Sequence, residues 1–165
     1  MKKYITKNYK QTQKLGQNLA KEILQFPTQK KAIVILLYGD LGGGKTTFLQ
    51  GFAKGLGVKE KVLSPTFVIM KKFSIAKNIT SHKSSDRHIY AIRSFLNFYH
   101  IDAYRLQNYK DAQELGLKEL FKDPENIIAI EWPERIKKIL PKNVIKMNFK
   151  FVSNKEREVL INLKR

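Results

Sequence analysis

The stretch of sequence that decides the fold reads Gly39-Asp40-Leu41-Gly42-Gly43-Gly44-Lys45-Thr46 and continues into Thr47. It matches the pattern G-x-x-x-x-G-K-[ST], in which glycines let backbone N–H groups turn toward a phosphate, a lysine reaches the β- and γ-phosphates, and a hydroxyl ligates Mg²⁺. The apolar residues 32–38 before it are typical of a buried parallel strand. This order predicts a phosphate-binding loop at a helix N-terminus, residues 45–56, rather than a glycine-rich turn without a ligand.

The length of the chain, 165 residues, predicts one domain with one core over residues 1–165. The chain has no cysteine, which excludes disulfides and thiolate metal sites and is compatible with a reducing compartment. The basic N-terminus is not followed by the apolar segment of a signal peptide. The longest apolar run, residues 32–38, is much shorter than the roughly 20 residues that cross a bilayer. We therefore expect a cytoplasmic protein without a membrane association.

The net charge of +18 is compatible with two interpretations. Clustered basic side chains bind nucleic-acid phosphates without regard to sequence, so the charge could mark a surface that faces RNA. However, 26 of the 32 basic residues are lysine and they are spread along the whole chain, as a compositional drift would produce. Arginine, the residue favoured for bidentate phosphate contacts, is scarce. Both interpretations stay open at the level of sequence.

The rest of the chain alternates between helical and strand patterns. Helices are predicted over residues 10–25 and 109–120, strands over residues 66–73, 98–101 and 127–130, and a closing hairpin over residues 144–152 and 159–163. Together with the loop, this pattern predicts an α/β fold of the P-loop NTPase type. Its central parallel sheet should be flanked by antiparallel strands, with helices on both faces.

Residues 74–93 do not fit this alternation. They are polar and basic with little periodicity, which predicts an inserted loop. His82 and His88, with His100 further along, could be imagined as metal ligands. Their spacing matches no zinc pattern and no cysteine supports them, so we predict no zinc site.

Two predicted strands run directly into an acid, Asp102 and Glu131. In open α/β sheets ligands bind beyond the carboxyl ends of the strands, so both acids should face the same crevice as the phosphate loop. One carboxylate is needed to hold Mg²⁺ and another polar group to orient the attacking nucleophile. The usual Walker B aspartate is not evident, and Glu131 is the best substitute. Alternatively, each acid only caps its strand or pairs with Arg105 or Arg135.

Further short motifs follow the phosphate loop in a fixed order: Ser64-Pro65-Thr66-Phe67, Tyr99-His100-Ile101-Asp102-Ala103-Tyr104-Arg105-Leu106, Leu115-Gly116-Leu117 and Ile130-Glu131-Trp132-Pro133-Glu134-Arg135. With the loop and the segment after Thr12, they resemble the TsaE family. These are the P-loop ATPases of bacterial tRNA threonylcarbamoyladenosine synthesis. The resemblance covers almost the whole chain. It departs from the family between Phe67 and Tyr99, where the segment is longer than expected.

The resemblance implies ATP or ADP and Mg²⁺ as ligands. The implied nucleotide-binding residues are Thr12, Gly42, Gly43, Gly44, Lys45, Thr46, Thr47, Ser64, Thr66 and Trp132, the metal ligands are Thr46 and Glu131, and the catalytic residues are Lys45, Asp102 and Glu131. Ser64 and Thr66 would sense the γ-phosphate as a switch, and Asp102 would position water or report hydrolysis. Three of these residues have simpler alternatives. In these alternatives, Ser64 only begins a turn, Thr12 only caps a helix, and Trp132 only fills the core.

The function implied by the resemblance is that of a Mg²⁺-dependent ATPase, slow alone, that acts with the TsaB and TsaD proteins. Those partners transfer a threonylcarbamoyl group to adenosine 37 of tRNAs that read codons beginning with A. A tRNA could also contact this chain, indirectly or through its basic surface. One alternative is a small-molecule or nucleoside kinase, although such kinases usually carry several arginines in a lid. The other is a basic RNA-binding module with a vestigial ATP site.

Overall fold

A computed structural model of the protein describes residues 1–26, 30–65, 68–76 and 95–163. Its strands are β1 (Lys2–Thr6), β2 (Ile33–Tyr38), β3 (Met70–Ser74), β4 (Asn97–Asp102), β5 (Asn126–Glu131), β6 (Ile145–Phe151) and β7 (Arg157–Leu163). Its α-helices are α1 (Tyr9–Leu24), α2 (Lys45–Gly55), α3 (Tyr109–Glu114) and α4 (Leu117–Lys122). Two 3₁₀ segments, Ala103–Arg105 and Pro133–Ile139, follow β4 and β5.

The strands form one mixed sheet in the order β1-β7-β6-β2-β5-β4-β3. The four middle strands, β6, β2, β5 and β4, are parallel to one another, whereas β1, β7 and β3 pair antiparallel. β5 is buried along its whole length, and β2 along all but its last residue, as strands covered on both faces should be. The predicted α/β class, with a central parallel sheet and antiparallel flanks, is confirmed.

Helices cover both faces of this sheet. Ile35, Leu37 and Ala129 point toward the side where α1 and α2 lie, and they share a core cluster with Phe48 and Phe52 of α2. Val34, Leu36 and Ile130 point to the opposite side and pack with α3, α4 and the second 3₁₀ segment. Side chains alternate between the two faces along a strand. The two core clusters therefore show on which face of the sheet each residue at a strand end lies.

Glycines allow α1 and α2 to pack at very short range. A Cβ atom built on Gly16 of α1 would lie 2.3 Å from the carbonyl oxygen of Phe48, and one built on Gly51 of α2 would lie 1.9 Å from that of Gln13. Real Cβ atoms do not approach oxygens so closely. The phosphate loop enters α2 at Lys45, so this packing also fixes the loop against the rest of the fold.

Gly51→Ala should therefore destabilise the protein, although alanine is the better helix former. Helix propensity alone would favour alanine by roughly 0.5–1 kcal/mol. Separating two packed helices costs more, and we expect a net loss of about 2 kcal/mol in the free energy of unfolding. Urea denaturation of the wild type and the variant measures this difference in the free energy of unfolding. Lys54→Ala, at an exposed position of the same helix, is the matched control and should change the value by less than about 0.5 kcal/mol. An unchanged midpoint for Gly51→Ala would contradict the close packing.

Three elements differ from the sequence prediction. β1 was not predicted, because it is an edge strand in which only Thr6 is buried and no alternation of polarity results. The helix predicted over residues 109–120 is two helices, α3 and α4, because Gly116 adopts a left-handed φ of 71° between them. The strand predicted from residue 66 begins at Met70. Thr66, His82, His88 and residues 77–93 of the predicted insertion lie outside the described residues.

Candidate functional site

The phosphate loop connects the end of β2 to the start of α2, and its glycines are required by the backbone. Gly39, Gly42 and Gly44 all have positive φ, at 122°, 75° and 98°. A Cβ on Gly39 would also lie 2.1 Å from the carbonyl oxygen of Phe149 on β6. Positive φ at Gly42 and Gly44, on either side of Gly43, is the alternation that turns peptide N–H groups toward one concave side in an anion nest.

Lys45 is 5% exposed and its ammonium is held inside the loop. Nζ donates to the carbonyl oxygens of Gly39 and Asp40, the latter at 3.0 Å, and lies 4.2 Å from the centroid of the Trp132 ring. Burial lowers the pKa of Lys45, while the nearby carboxylates, Glu131 and Asp102 first among them, act in the opposite direction. A triphosphate entering the loop would compete with two neutral carbonyls for this cation.

Glu131, the last residue of β5, is 3% exposed and meets two hydrogen-bond donors. Thr46 Oγ1 donates to Glu131 Oε1 at 3.1 Å, and His100 Nε2 lies 2.9 Å from the same oxygen. A hydroxyl and a carboxylate oxygen are the hard ligands that Mg²⁺ prefers, so this pair fits the cation. Within the described residues no group of three or more His, Cys, Asp or Glu side chains could hold a metal. Phosphate and water oxygens would therefore have to complete its shell.

Asp102 ends β4 and lies opposite Glu131 in the parallel register of β4 and β5. Its Oδ2 accepts a hydrogen bond from Ser64 Oγ at 3.0 Å, and its Oδ1 accepts one from the backbone N–H of Tyr104 at 3.0 Å. Next to Ser64 along the chain, the Val68 N–H donates to the Pro65 carbonyl oxygen at 2.9 Å. Ser64 thus directly precedes a locally bonded segment and also contacts a strand-end acid, so the two interpretations of its motif are compatible.

The start of α1 and the turn between β6 and β7 also line the cleft. Asn8, not Thr12, caps α1, so the simpler interpretation of Thr12 is wrong. Thr12 is buried, shares a 2.7 Å hydrogen bond with Thr6 Oγ1, and lines the cleft. Arg157 lines the same cleft, and its Nε donates to the Gly42 carbonyl oxygen at 2.8 Å.

Sequence reasoning missed Arg157, as it missed Tyr104, Asn154 and Lys155 in the cleft wall. Arg157 Nη1 also bonds the Ser153 carbonyl oxygen at 2.6 Å, so the guanidinium ties the β6–β7 turn to the phosphate loop. It is separated from Gly42 by 115 residues. No local motif indicates a contact between such distant residues. The only hint in the sequence is that arginine is scarce, so that each arginine stands out.

These residues surround one cleft of about 700 Å³, within the size range of small-molecule sites. Of the residues predicted for the site, the cleft brings together Thr12, Gly42, Gly43, Gly44, Lys45, Thr46, Thr47, Ser64, Asp102, Glu131 and Trp132. Trp132 is half-buried in the cleft wall, so it is not simply a core aromatic. Its left-handed φ of 57° is strained for a large side chain, and such strain clusters at functional sites.

The sequence of the chain is similar to those of known proteins. Residues 6–159 match the family model described as "Threonylcarbamoyl adenosine biosynthesis protein TsaE". A tRNA threonylcarbamoyladenosine biosynthesis protein TsaE from Bacillus subtilis is 35% identical over 79% of this chain and 69% of its own length. The protein of that name from Haemophilus influenzae is 31% identical over 84% and 75%, respectively.

A solved structure agrees with these sequence matches. The crystal structure of YdiB from Bacillus subtilis superposes with a TM-score of 0.68 at 29% identity, covering 99% of this chain and 86% of that one. Within the described residues, no helix is both long and apolar enough to cross a membrane.

Proposed function

We propose a function for the chain from the premise that it belongs to the TsaE family of threonylcarbamoyl adenosine biosynthesis proteins. The proposed function is that of a Mg²⁺-dependent ATP hydrolase that serves the threonylcarbamoyl modification of tRNA. The observation that carries the proposal is one cleft in which the phosphate loop, with Lys45, faces two buried strand-end carboxylates, Asp102 and Glu131. Hydrolysis of a nucleoside triphosphate needs little more than such positioning and charge.

Binding of the triphosphate is assigned to the loop and the start of α2. The backbone of Gly42 to Thr47 would surround the β- and γ-phosphates, and the Lys45 ammonium would reach their oxygens. Thr46 and Glu131 would hold Mg²⁺, which when bound neutralises charge that develops on the phosphate oxygens. Trp132 and Thr12 both line the cleft. Trp132 would contact the nucleotide there, and Thr12 would lie near the adenine.

Asp102 is assigned to the hydrolytic step. Its carboxylate can accept a hydrogen bond from a water molecule, which orients the water for attack on the γ-phosphorus in line with the leaving oxygen. Ser64 bonds the same carboxylate and would, together with Thr66, sense whether the γ-phosphate is present. The bond formed is water oxygen to phosphorus, the bond broken is phosphorus to the β,γ-bridging oxygen, and the products are ADP and phosphate.

Membership in the family supports the biological role that we propose. The TsaB and TsaD proteins would transfer the threonylcarbamoyl group to adenosine 37 of tRNAs that read codons beginning with A. This chain, as one domain with a loop insertion at residues 74–93, would bind ATP, join that complex and permit repeated turnover. Its ATPase would be slow alone and stimulated by the partners. The charge of +18 would favour tRNA near the complex.

Product analysis with γ-labelled ATP tests the proposal. Release of labelled phosphate into water, dependent on Mg²⁺ and lost in EDTA, is the expected result. Labelled phosphate on a nucleoside or another small acceptor would instead assign the chain as a kinase. Binding of tRNA without nucleotide and without any hydrolysis would assign an RNA-binding module with a vestigial loop.

The partner complex should distinguish the two nucleotide states. Ser64 contacts Asp102 and lies between α2 and β3, where a segment can be ordered by a γ-phosphate and released after hydrolysis. A non-hydrolysable ATP analogue should strengthen binding to TsaB and TsaD at least about fivefold more than ADP does.

Thr66→Ala and Ser64→Ala should each reduce this discrimination while ADP affinity stays within about threefold, because the ADP contacts come from the loop. Partner affinity measured with each nucleotide decides the matter. Equal binding of the wild-type protein in both states would eliminate the switch.

A further inference from the structure

We infer that His100 is a positioning residue for Glu131: its imidazole fixes the carboxylate in the orientation needed to hold the cation. His100 belongs to β4, two residues before Asp102, and was considered above only as part of an improbable zinc site. The inference rests on the proposed function, because it assigns Glu131 to Mg²⁺. It concerns a side chain that would touch neither nucleotide nor metal.

The geometry places His100 directly behind the carboxylate. In the parallel register His100 pairs with Ala129 and Asp102 pairs with Glu131. Side chains two residues apart lie on one face of a strand, so His100, Asp102 and Glu131 all point toward the face that α2 covers. His100 is 0% exposed, and its Nε2 lies 2.9 Å from Glu131 Oε1.

The hydrogen-bond partners define the tautomer. Glu131 Oε1 already accepts the hydroxyl of Thr46, and an ionised carboxylate can only accept, so Nε2 must carry the hydrogen. The other ring nitrogen, Nδ1, is buried and meets no hydrogen-bond partner in the described part of the chain. Nε2 of His100 therefore donates to one oxygen of the Glu131 carboxylate.

The two hydrogen-bond donors to Glu131, His100 and Thr46, come from different elements of the fold. Thr46 lies at the start of α2, next to the phosphates, and its hydroxyl is itself assigned to the cation. His100 comes from the buried β4 strand, so its hydrogen bond does not depend on how the loop moves when a nucleotide enters. Hydrogen-bonded partners behind a ligating carboxylate change metal affinity by about 10- to 100-fold when removed.

The alternative is a structural role, in which the His100 ring only fills space in the core and Glu131 only provides a hydrogen-bond partner for its buried Nε2. A structural role predicts lower stability for every His100 variant but no selective effect on Mg²⁺. A positioning role predicts a loss of Mg²⁺ affinity that a replacement donor restores. The two roles therefore differ in a quantity that can be measured without turnover.

The chain has one tryptophan, Trp132, which lies in the cleft wall, so its fluorescence reports ADP binding. The experiment titrates ADP in EDTA and then Mg²⁺ at fixed ADP. The variants are His100→Leu, which has no donor, His100→Gln, whose amide nitrogen can take the place of Nε2, and His100→Asn, whose amide is too short. Asn97→Leu is the matched control, because it removes a 3.0 Å hydrogen bond to Asn126 at the opposite end of the same strands.

We expect His100→Leu and His100→Asn to raise the half-saturating Mg²⁺ concentration at least about tenfold, with ADP affinity in EDTA within about threefold of wild type. His100→Gln and Asn97→Leu should stay close to wild type. If His100→Leu does not fold, the half-saturating Mg²⁺ concentrations of His100→Gln and His100→Asn are compared with each other instead. Equal Mg²⁺ dependence in all variants, or equal losses for Gln and Asn, would overturn the inference alone. A wild-type protein that binds ADP equally well with and without Mg²⁺ would overturn the proposed metal site, and the role of His100 with it.

Discussion

Lys45→Ala should abolish ATP hydrolysis and most of the affinity for ATP. The ammonium of Lys45 is the cation buried within the phosphate loop, where it bonds the carbonyl oxygens of Gly39 and Asp40. In a site from which water is largely excluded, a preorganised charge of this kind contributes about 100- to 1000-fold to turnover. We expect a loss in kcat/KM of at least about 100-fold, measured as phosphate release at saturating Mg²⁺.

The stability of this variant should behave differently from its activity. Burial lowers the pKa of Lys45, which means that the fold holds the charged form at a cost. In the absence of nucleotide, Lys45→Ala should therefore unfold within a few degrees of the wild-type Tm, whereas the stabilisation that ATP gives should disappear. Lys54→Ala changes an exposed lysine of the same helix and should leave hydrolysis unchanged. Undiminished turnover in purified Lys45→Ala would remove the phosphate-loop mechanism.

Asp102→Ala and Glu131→Ala should separate hydrolysis from metal dependence. Asp102 bonds Ser64 and the Tyr104 backbone, so its loss should leave ATP binding within about threefold while turnover falls about 100-fold or more. Glu131 bonds Thr46, so its loss should weaken the dependence of ATP binding on Mg²⁺. Binding titrations with and without Mg²⁺, beside single-turnover rates, measure both effects. If both variants lose only binding, the division of roles between the two acids is wrong.

The centre of the fold and of the site could be predicted because it depends on local sequence. Residues 39–46 carry a complete motif, and the apolar runs before Asp102 and Glu131 are typical of buried strands. The carboxyl ends of parallel strands share one edge of a sheet, so knowing three strands was enough to place both acids near the loop. Thr46 and Glu131, 85 residues apart, are accordingly in hydrogen-bond contact.

The parts that could not be predicted depend on contacts between distant segments. Arg157 reaches the Gly42 carbonyl because β7 pairs with β6, which lies next to β2. β1 is held by pairing with β7 rather than by its own apolar pattern. In the sequence nothing distinguishes His100 from other polar residues. Its position behind Glu131 results from the register between β4 and β5. In each case a tertiary contact, not a propensity, determines the role.

One measurement tests the central claim most directly: threonylcarbamoyl transfer to tRNA by the proposed partners, the TsaB and TsaD proteins of the same organism, reconstituted with this chain, tRNA, ATP and an activated threonylcarbamoyl donor. Modified adenosine 37 is counted per TsaD molecule, alongside phosphate released. The account predicts several modified tRNAs per complex with the wild-type chain and ATP, and no more than one with Lys45→Ala or with a non-hydrolysable ATP analogue. Repeated transfer that proceeds equally well with Lys45→Ala, or without any phosphate release, would contradict it.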